Sequence, residues 1–284
     1  MSRLKEIFSR QPDKMNRLTK WFFGIPLAYS MYLLISLFIP SFGSSNNAFL
    51  IKAAVLELIL GLCVLYVVKN ILRFKVSKLF CGDDSFCIKL FLSAFCIAFA
   101  VFTASSFAML LINREDFEFT FTSVGFGLNW LCSFILIVFA AVTEELIFRS
   151  YIAYYIHDTL EKDNKKIALY SLISGLLFAI FHFSNPEVNG TSAIWTMLFY
   201  FIFGFGLMAF SLATGGFEVA FATHIANNLV SSWLFTYDNS VISTDALFTH
   251  HNNAGPSLII QTVICMSIIA LFVRFYNNRR TLRH

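Results

Sequence analysis

The chain has 284 residues and a formal net charge of +4, with 57% hydrophobic residues, 35 Phe among them, and only 13% charged residues, and a mean hydropathy of +0.70. Soluble domains carry roughly 45–50% apolar and about 25% charged residues, so this balance excludes a water-soluble globular protein and places the chain in a lipid bilayer. No basic stripe interleaved with aromatic residues occurs, which excludes a nucleic-acid partner.

Residues 1–20, MSRLKEIFSRQPDKMNRLTK, are polar and basic and read as a cytoplasmic N-terminal arm able to lie on the membrane surface. No apolar run with a small-residue cleavage site occurs there, so a cleavable signal is not expected. Apolar windows of bilayer length, about 20 residues, follow at 21–40, 48–68, 88–112, 126–156, 167–184, 193–212, 217–236 and 256–275. They are too long for barrel strands, and irregular backbone cannot face lipid. The expected fold is therefore an all-α polytopic membrane bundle of about eight transmembrane helices in one domain, 21–275, closed by a basic tail, 276–284. The fourth window exceeds one span and should tilt or project beyond the membrane.

Orientation follows from the segments between the windows. Residues 1–20, 69–87, 157–166 and 276–284 are rich in Lys and Arg, whereas 41–47, 113–125, 185–192 and 237–255 hold only Arg114. Basic segments stay cytoplasmic, so both termini are expected in the cytoplasm. The six Cys sit mostly inside apolar runs without a CxxC pair and read as small buried hydrophobes.

Ionisable residues inside a span cost about +2.5 to +3.5 kcal/mol each on insertion scales and are functional candidates by default. Away from the window ends they are few: Glu57; Glu144, Glu145 and Arg149 within AVTEELIFRS; His182; and His224 with Asn227 and Asn228. Glu145 and Arg149 stand four apart, acid before base, and can pair along one helix face. Glu144 lies about 100° around the helix from Glu145 and has no counter-ion in its own helix. Such a carboxylate suits a general base that must later act as an acid.

Each feature also has a structural reading. The Glu145–Arg149 pair can simply fix helix packing, His182, with Phe178 one turn before it, can be a packed histidine, and His224 with Asn228 can bond a neighbouring helix. Taken together, these groups from three helices are most economically explained by one cavity. Carboxylate plus imidazoles can hold Zn²⁺ with an open position or can activate water directly. Asn can donate to an oxyanion. Water, base and oxyanion donor make amide hydrolysis. One tension remains: at 1.5 Å per residue, His224 lies about 10 Å and His182 about 22 Å from the cytoplasmic starts of their windows, so the site closes only with tilted or offset helices. Glu57 is expected to face the bundle interior, and His250 and His251 to be solvated.

Glu144-Glu145-x-x-x-Arg149, Phe178-x-x-x-His182 and His224-x-x-x-Asn228, in this order on successive helices with Gly204 and Gly206 between the last two, resemble the CAAX-protease and bacteriocin-processing family of intramembrane endopeptidases. The motifs cover about 124–230; the first three windows and the last carry none. The resemblance implies a bacterial inner-membrane peptidase whose cavity lies within the bilayer and opens toward the cytoplasm. Its substrate would be a membrane-associated or lipidated peptide or protein, cut near its C-terminus. By position, Glu144 would activate the water, His182 would assist it, and His224 and Asn228 would form the opposite wall, Asn228 at the oxyanion. Glu145, Arg149 and Phe178 would be supporting residues. The family has been described both as metal-dependent, which here would mean zinc on Glu144, His182 and His224, and as glutamate-dependent; the lack of HExxH or another contiguous zinc motif favours a glutamate-activated water. Two readings from other classes stand beside it: a non-catalytic immunity or scaffold protein of the same fold, and a proton-coupled transporter, which would carry inverted repeats and broken helices that the sequence does not show.

Overall fold

The computed structural model describes residues 12–82, 85–122, 126–156, 164–251 and 254–281. Arg3, Lys5 and Arg10 of the N-terminal arm, Lys162 and the tail's Arg283 lie outside the described residues.

The elements, in chain order, are α1 (Pro12–Ser36), α2 (Asn46–Tyr66, prolonged by a π-turn, Val67–Ile71), α3 (Lys78–Cys81), α4 (Ile88–Ile112), β1 (Phe117–Phe119), α5 (Phe126–Glu145), a π-turn (Leu146–Tyr151) leading into α6 (Ile152–Ile156), α7 (Asn164–Phe181), α8 (Ala193–Thr214), α9 (Glu218–Leu229, followed by a π-turn, Val230–Leu234), β2 (Phe235–Tyr237), β3 (Phe248–His250) and α10 (Pro256–Thr281). Among the described residues, six helical stretches are long and apolar enough to cross a membrane: Leu18–Ser36, Asn46–Ile71, Ile88–Ile112, Gly127–Tyr155, Gly190–Thr214 and Pro256–Arg279. They coincide with six of the eight windows. Exposed Phe22, Leu33, Leu111 and Leu271 on these helices are the surface a lipid solvent requires. Cys63, Cys81, Cys132 and Cys265 are buried as expected, while Cys96 is exposed on α4.

The other two windows, 167–184 and 217–236, fall short of that measure. α7 opens on Asn164, Lys165 and Lys166, which leaves 15 apolar-side residues, about 22 Å at 1.5 Å each. α9 has only 12 residues, ten of them buried, and packs against α4, α5 and α8. It is an internal helix. Its first residue, Glu218, is itself buried and accepts the backbone N–H of Cys87 at 2.8 Å.

A small sheet, which the all-α reading did not anticipate, closes one end of the bundle. Its order is β1-β3-β2, with Phe117 opposite His250 in the antiparallel pair and Phe235 opposite Phe248 in the parallel pair. The aromatic and Thr residues of FEF, FTY and FTH favour pleated backbone, and the Phe235 and Phe248 rings stack at 5.3 Å. Trp130 of α5 donates to the Asp245 carbonyl at 2.8 Å and stacks on Trp233 at 4.8 Å, which ties the long 238–247 connection to the helices.

Two glycine contacts set the helix positions on which the site depends. A Cβ on Gly204 would stand 2.9 Å from Phe178 Cβ and 3.1 Å from Gly175 Cα, and one on Gly175 would stand 2.8 Å from the Phe201 carbonyl oxygen, so α7 and α8 meet almost backbone to backbone. Likewise a Cβ on Gly61 would lie 2.7 Å from Thr143 Oγ1; the hydroxyl instead donates to the Glu57 carbonyl at 3.0 Å, which holds α2 against α5.

Candidate active site

Glu144 and Glu145 are the last two residues of α5, and the helix widens into a π-turn immediately after them. Such turns recur at functional sites because they re-aim side chains that a regular helix would hold in register. The expected pairing survives the distortion: Arg149 Nε lies 3.2 Å from Glu145 Oε2, with both side chains fully buried. The guanidinium also sits 4.3 Å from the Phe178 ring centroid, a cation–π contact that stabilises a desolvated charge. Phe178, itself buried, thus connects α7 to the ion pair on α5.

Both histidines are oriented through Nδ1. His182 Nδ1 lies 2.7 Å from the Phe178 carbonyl oxygen, and His224 Nδ1 lies 2.7 Å from Glu145 Oε1. Carbonyl and carboxylate oxygens accept, so Nδ1–H donates in each ring and Nε2 is turned to the other side. Both Nε2 atoms face the same oxygen, Glu144 Oε2, at 3.6 Å from His182 and 3.7 Å from His224. Glu144 Oε2 has no hydrogen-bond partner among the described residues. The distances exceed direct hydrogen bonding and are of the kind that one small bridging molecule closes.

The depth mismatch read from the sequence is resolved by two departures from uniform spans. His182 lies just past the end of α7, in the turn beyond Phe181, while His224 lies in the middle of the short internal α9. Asn228 is one turn further along α9 and lines the cavity. Its Oδ1 accepts from Asn227 Nδ2 at 3.0 Å, which leaves the Asn228 amide hydrogens for other acceptors.

These residues border a cavity of about 570 Å³. Several lining groups lie outside the expected set. Glu57 of α2 faces the cavity, with which the expectation of an interior position agrees. Glu187 and Asn185, in the turn after His182, also line it. The Tyr200 hydroxyl donates to Glu187 Oε1, and Asn185 Nδ2 lies 3.2 Å from that oxygen and 3.0 Å from the Tyr200 hydroxyl. The Tyr200 ring in turn lies 4.3 Å from the His182 ring. Glu187 lies between the fifth and sixth apolar windows, and its one signal in the sequence is its place five residues after His182.

His250 and His251 also border the cavity; His251 is exposed, as expected, whereas His250 is part-buried. His251 bridges two carboxylates, Nδ1 to Asp238 Oδ1 at 3.1 Å and Nε2 to Glu118 Oε2 at 3.1 Å. This hydrogen bonding raises the His251 pKa, Asp238 first and Glu118 after it. His250, packed 4.5 Å from the Phe117 ring, is pushed the other way by burial.

Residues from 185–192 and 237–257 contribute to the cavity lining, and nothing described from 69–82, 164–171 or 276–281 does. As for zinc, Glu144, His182 and His224 are chemically suitable donors, but among the described residues no three His, Cys, Asp or Glu stand in an arrangement that would hold a metal ion.

Residues 126–230 match the family described as Type II CAAX prenyl endopeptidase Rce1-like. That segment contains Glu144, Glu145, Arg149, Phe178, His182, His224 and Asn228, so the resemblance drawn from the three motifs is borne out over it. The chain is also similar to "Uncharacterized protein YyaK" of Bacillus subtilis (strain 168), at 33% identity over 123 residues, 42% of this chain and 40% of that protein. The match thus spans less than half of the relative's length. No solved structure matches the chain.

Proposed function

We propose that the protein is an intramembrane endopeptidase of CAAX type that hydrolyses a peptide bond of a membrane-associated substrate with a water activated by Glu144. The observation that carries this reading is the convergence of Glu144 Oε2 with Nε2 of His182 and of His224, at 3.6 and 3.7 Å. With Nδ1–H of both rings committed, three acceptor atoms face one point. A water there donates to Glu144 and is oriented by the imidazoles.

Glu144 takes a proton from this water as the oxygen attacks the substrate carbonyl, and later returns that proton to the leaving amine. The charge that develops on the carbonyl oxygen is met by the Asn228 amide N–H. Glu145, hydrogen-bonded to His224 Nδ1, fixes that ring, while Arg149 pairs with the other oxygen of Glu145.

The test is cleavage of membrane peptides, compared by mass spectrometry in cells carrying the parent protein or Glu144→Ala. Loss of a general base costs about 10²–10⁴ in rate, so products should vanish for Glu144→Ala and His182→Ala while both proteins remain inserted. Normal processing by Glu144→Ala would end the proposal.

A further inference from the structure

The cavity lining contains four carboxylates, Glu57, Glu144, Glu187 and Asp238, and among the described residues neither Lys nor Arg. The Arg149 guanidinium pairs with Glu145 and does not line the cavity. Two of the carboxylates have assigned work: Glu144 faces the histidines, and Asp238 is bound by His251.

Glu187 is different. It is only 8% exposed, and its backbone carbonyl is fixed by the hydroxyls of Ser192 and Thr196, each at 3.3 Å. Oε1 accepts from Tyr200 and Asn185, whereas Oε2 is buried without a hydrogen-bond partner among the described residues. An unpaired buried carboxylate oxygen is costly, and here it is held rigidly in the wall of the cavity, one tyrosine ring from His182.

We infer that Glu187, clamped by Tyr200 and Asn185, is a specificity-determining residue that receives the Lys or Arg side chain of a substrate peptide close to the bond that is cut. This rests on the peptidase reading and deepens it by naming the substrate class: an apolar segment with a basic residue near the scissile bond. A free C-terminal carboxylate is the wrong charge for this wall, since among the described residues neither Lys nor Arg lines it.

The test uses the full-length protein in lipid nanodiscs and three fluorescent apolar peptides that differ at one position, lysine, norleucine or glutamate. Binding is read on the Glu144→Gln protein, which does not turn over, and cleavage on the parent. A charge-assisted hydrogen bond in a buried site corresponds to about a tenfold to hundredfold preference, so the lysine peptide should bind that much more tightly than the norleucine one. Glu187→Gln should collapse the ratio, and Tyr200→Phe, which keeps the ring against His182, should reduce it. Equal binding of the lysine and norleucine peptides overturns the inference, as does an unchanged ratio in a folded Glu187→Gln protein. Should Glu187→Gln fail to fold, the ratio in the parent sequence decides alone. A lysine preference in binding with no cleavage by the parent keeps the subsite and removes the peptidase reading; cleavage without that preference does the reverse.

Discussion

His224 stands between two adjacent carboxylates: its Nδ1 is 2.7 Å from Glu145 Oε1 and its Nε2 is 3.7 Å from Glu144 Oε2. Consecutive residues on a helix point about 100° apart, and a single imidazole from α9 fits into that angle with one nitrogen for each. The two glutamates are therefore separated by role through the ring they share. Arg149, Glu145, His224 and Glu144 form one continuous polar chain, buried at its Arg end and open to the cavity at its Glu144 end.

Glu145→Gln breaks this chain in its middle. His224 loses the acceptor that fixes its Nδ1–H tautomer, and Arg149 is left buried with only the Phe178 ring. Removing one partner of a buried pair costs about 3–5 kcal/mol. Thermal melting should show a clear loss of stability, and the rate per folded molecule should fall as well. A melting curve matching that of the parent would show that the pair does not hold α5 in place.

Gly204→Val tests the helix contact that sets His182. The new Cβ would lie 2.9 Å from Phe178 Cβ, forcing α7 away from α8 and carrying His182 from Glu144. Overpacking costs about 1–3 kcal/mol, and the fractional loss of cleavage should exceed the fraction unfolded. Gly190→Ala, at a site where a Cβ meets nothing but φ is +52°, tests simple backbone strain without touching this contact.

The rim histidines should respond to pH in opposite senses. The His251 pKa is raised above its ordinary value of 6.5 by Asp238 and Glu118. Its stabilising effect is therefore full below 6.5 and is lost as pH rises through the higher folded value. His250 faces Asp116, Asp238 and His251, yet burial outweighs these and lowers its pKa; its effect is present above 6.5 and is lost as pH falls. Amide exchange across Phe235–Tyr237 and Phe248–His250, followed from pH 5 to 8 (the range in which histidine titrates), should shift toward greater protection at high pH in His251→Ala and toward greater protection at low pH in His250→Ala. Identical profiles in both variants would contradict the assignment.

Chelation separates the two chemistries open to Glu144. With a glutamate-activated water, EDTA or 1,10-phenanthroline leaves cleavage by the purified protein unchanged. Activity lost to chelator and restored by Zn²⁺ would instead make Glu144, His182 and His224 ligands.

Much of this was legible in the chain itself. Burying a charge in hydrocarbon is so unfavourable that Glu144, Glu145, Arg149 and His224 stood out against their apolar surroundings, and the i,i+4 spacing of Glu145 and Arg149 anticipated the 3.2 Å pair. The membrane class followed from composition, and six windows became long apolar helices. Glu187 and Tyr200 were not legible, because a loop glutamate and a tyrosine carry no periodic signal of what lies opposite them.

The sequence by itself determined the solvent, the helical class and the polar residues that had to find one another, since hydropathy and helical period are local properties of the chain. The tertiary structure decided that α9 is internal, that His182 sits beyond its helix end, and that His224 faces both carboxylates. These depend on close approaches such as Gly204 to Phe178 and on distortions such as the π-turn after Glu145, and each arises only when packed helices settle their mutual depth and rotation.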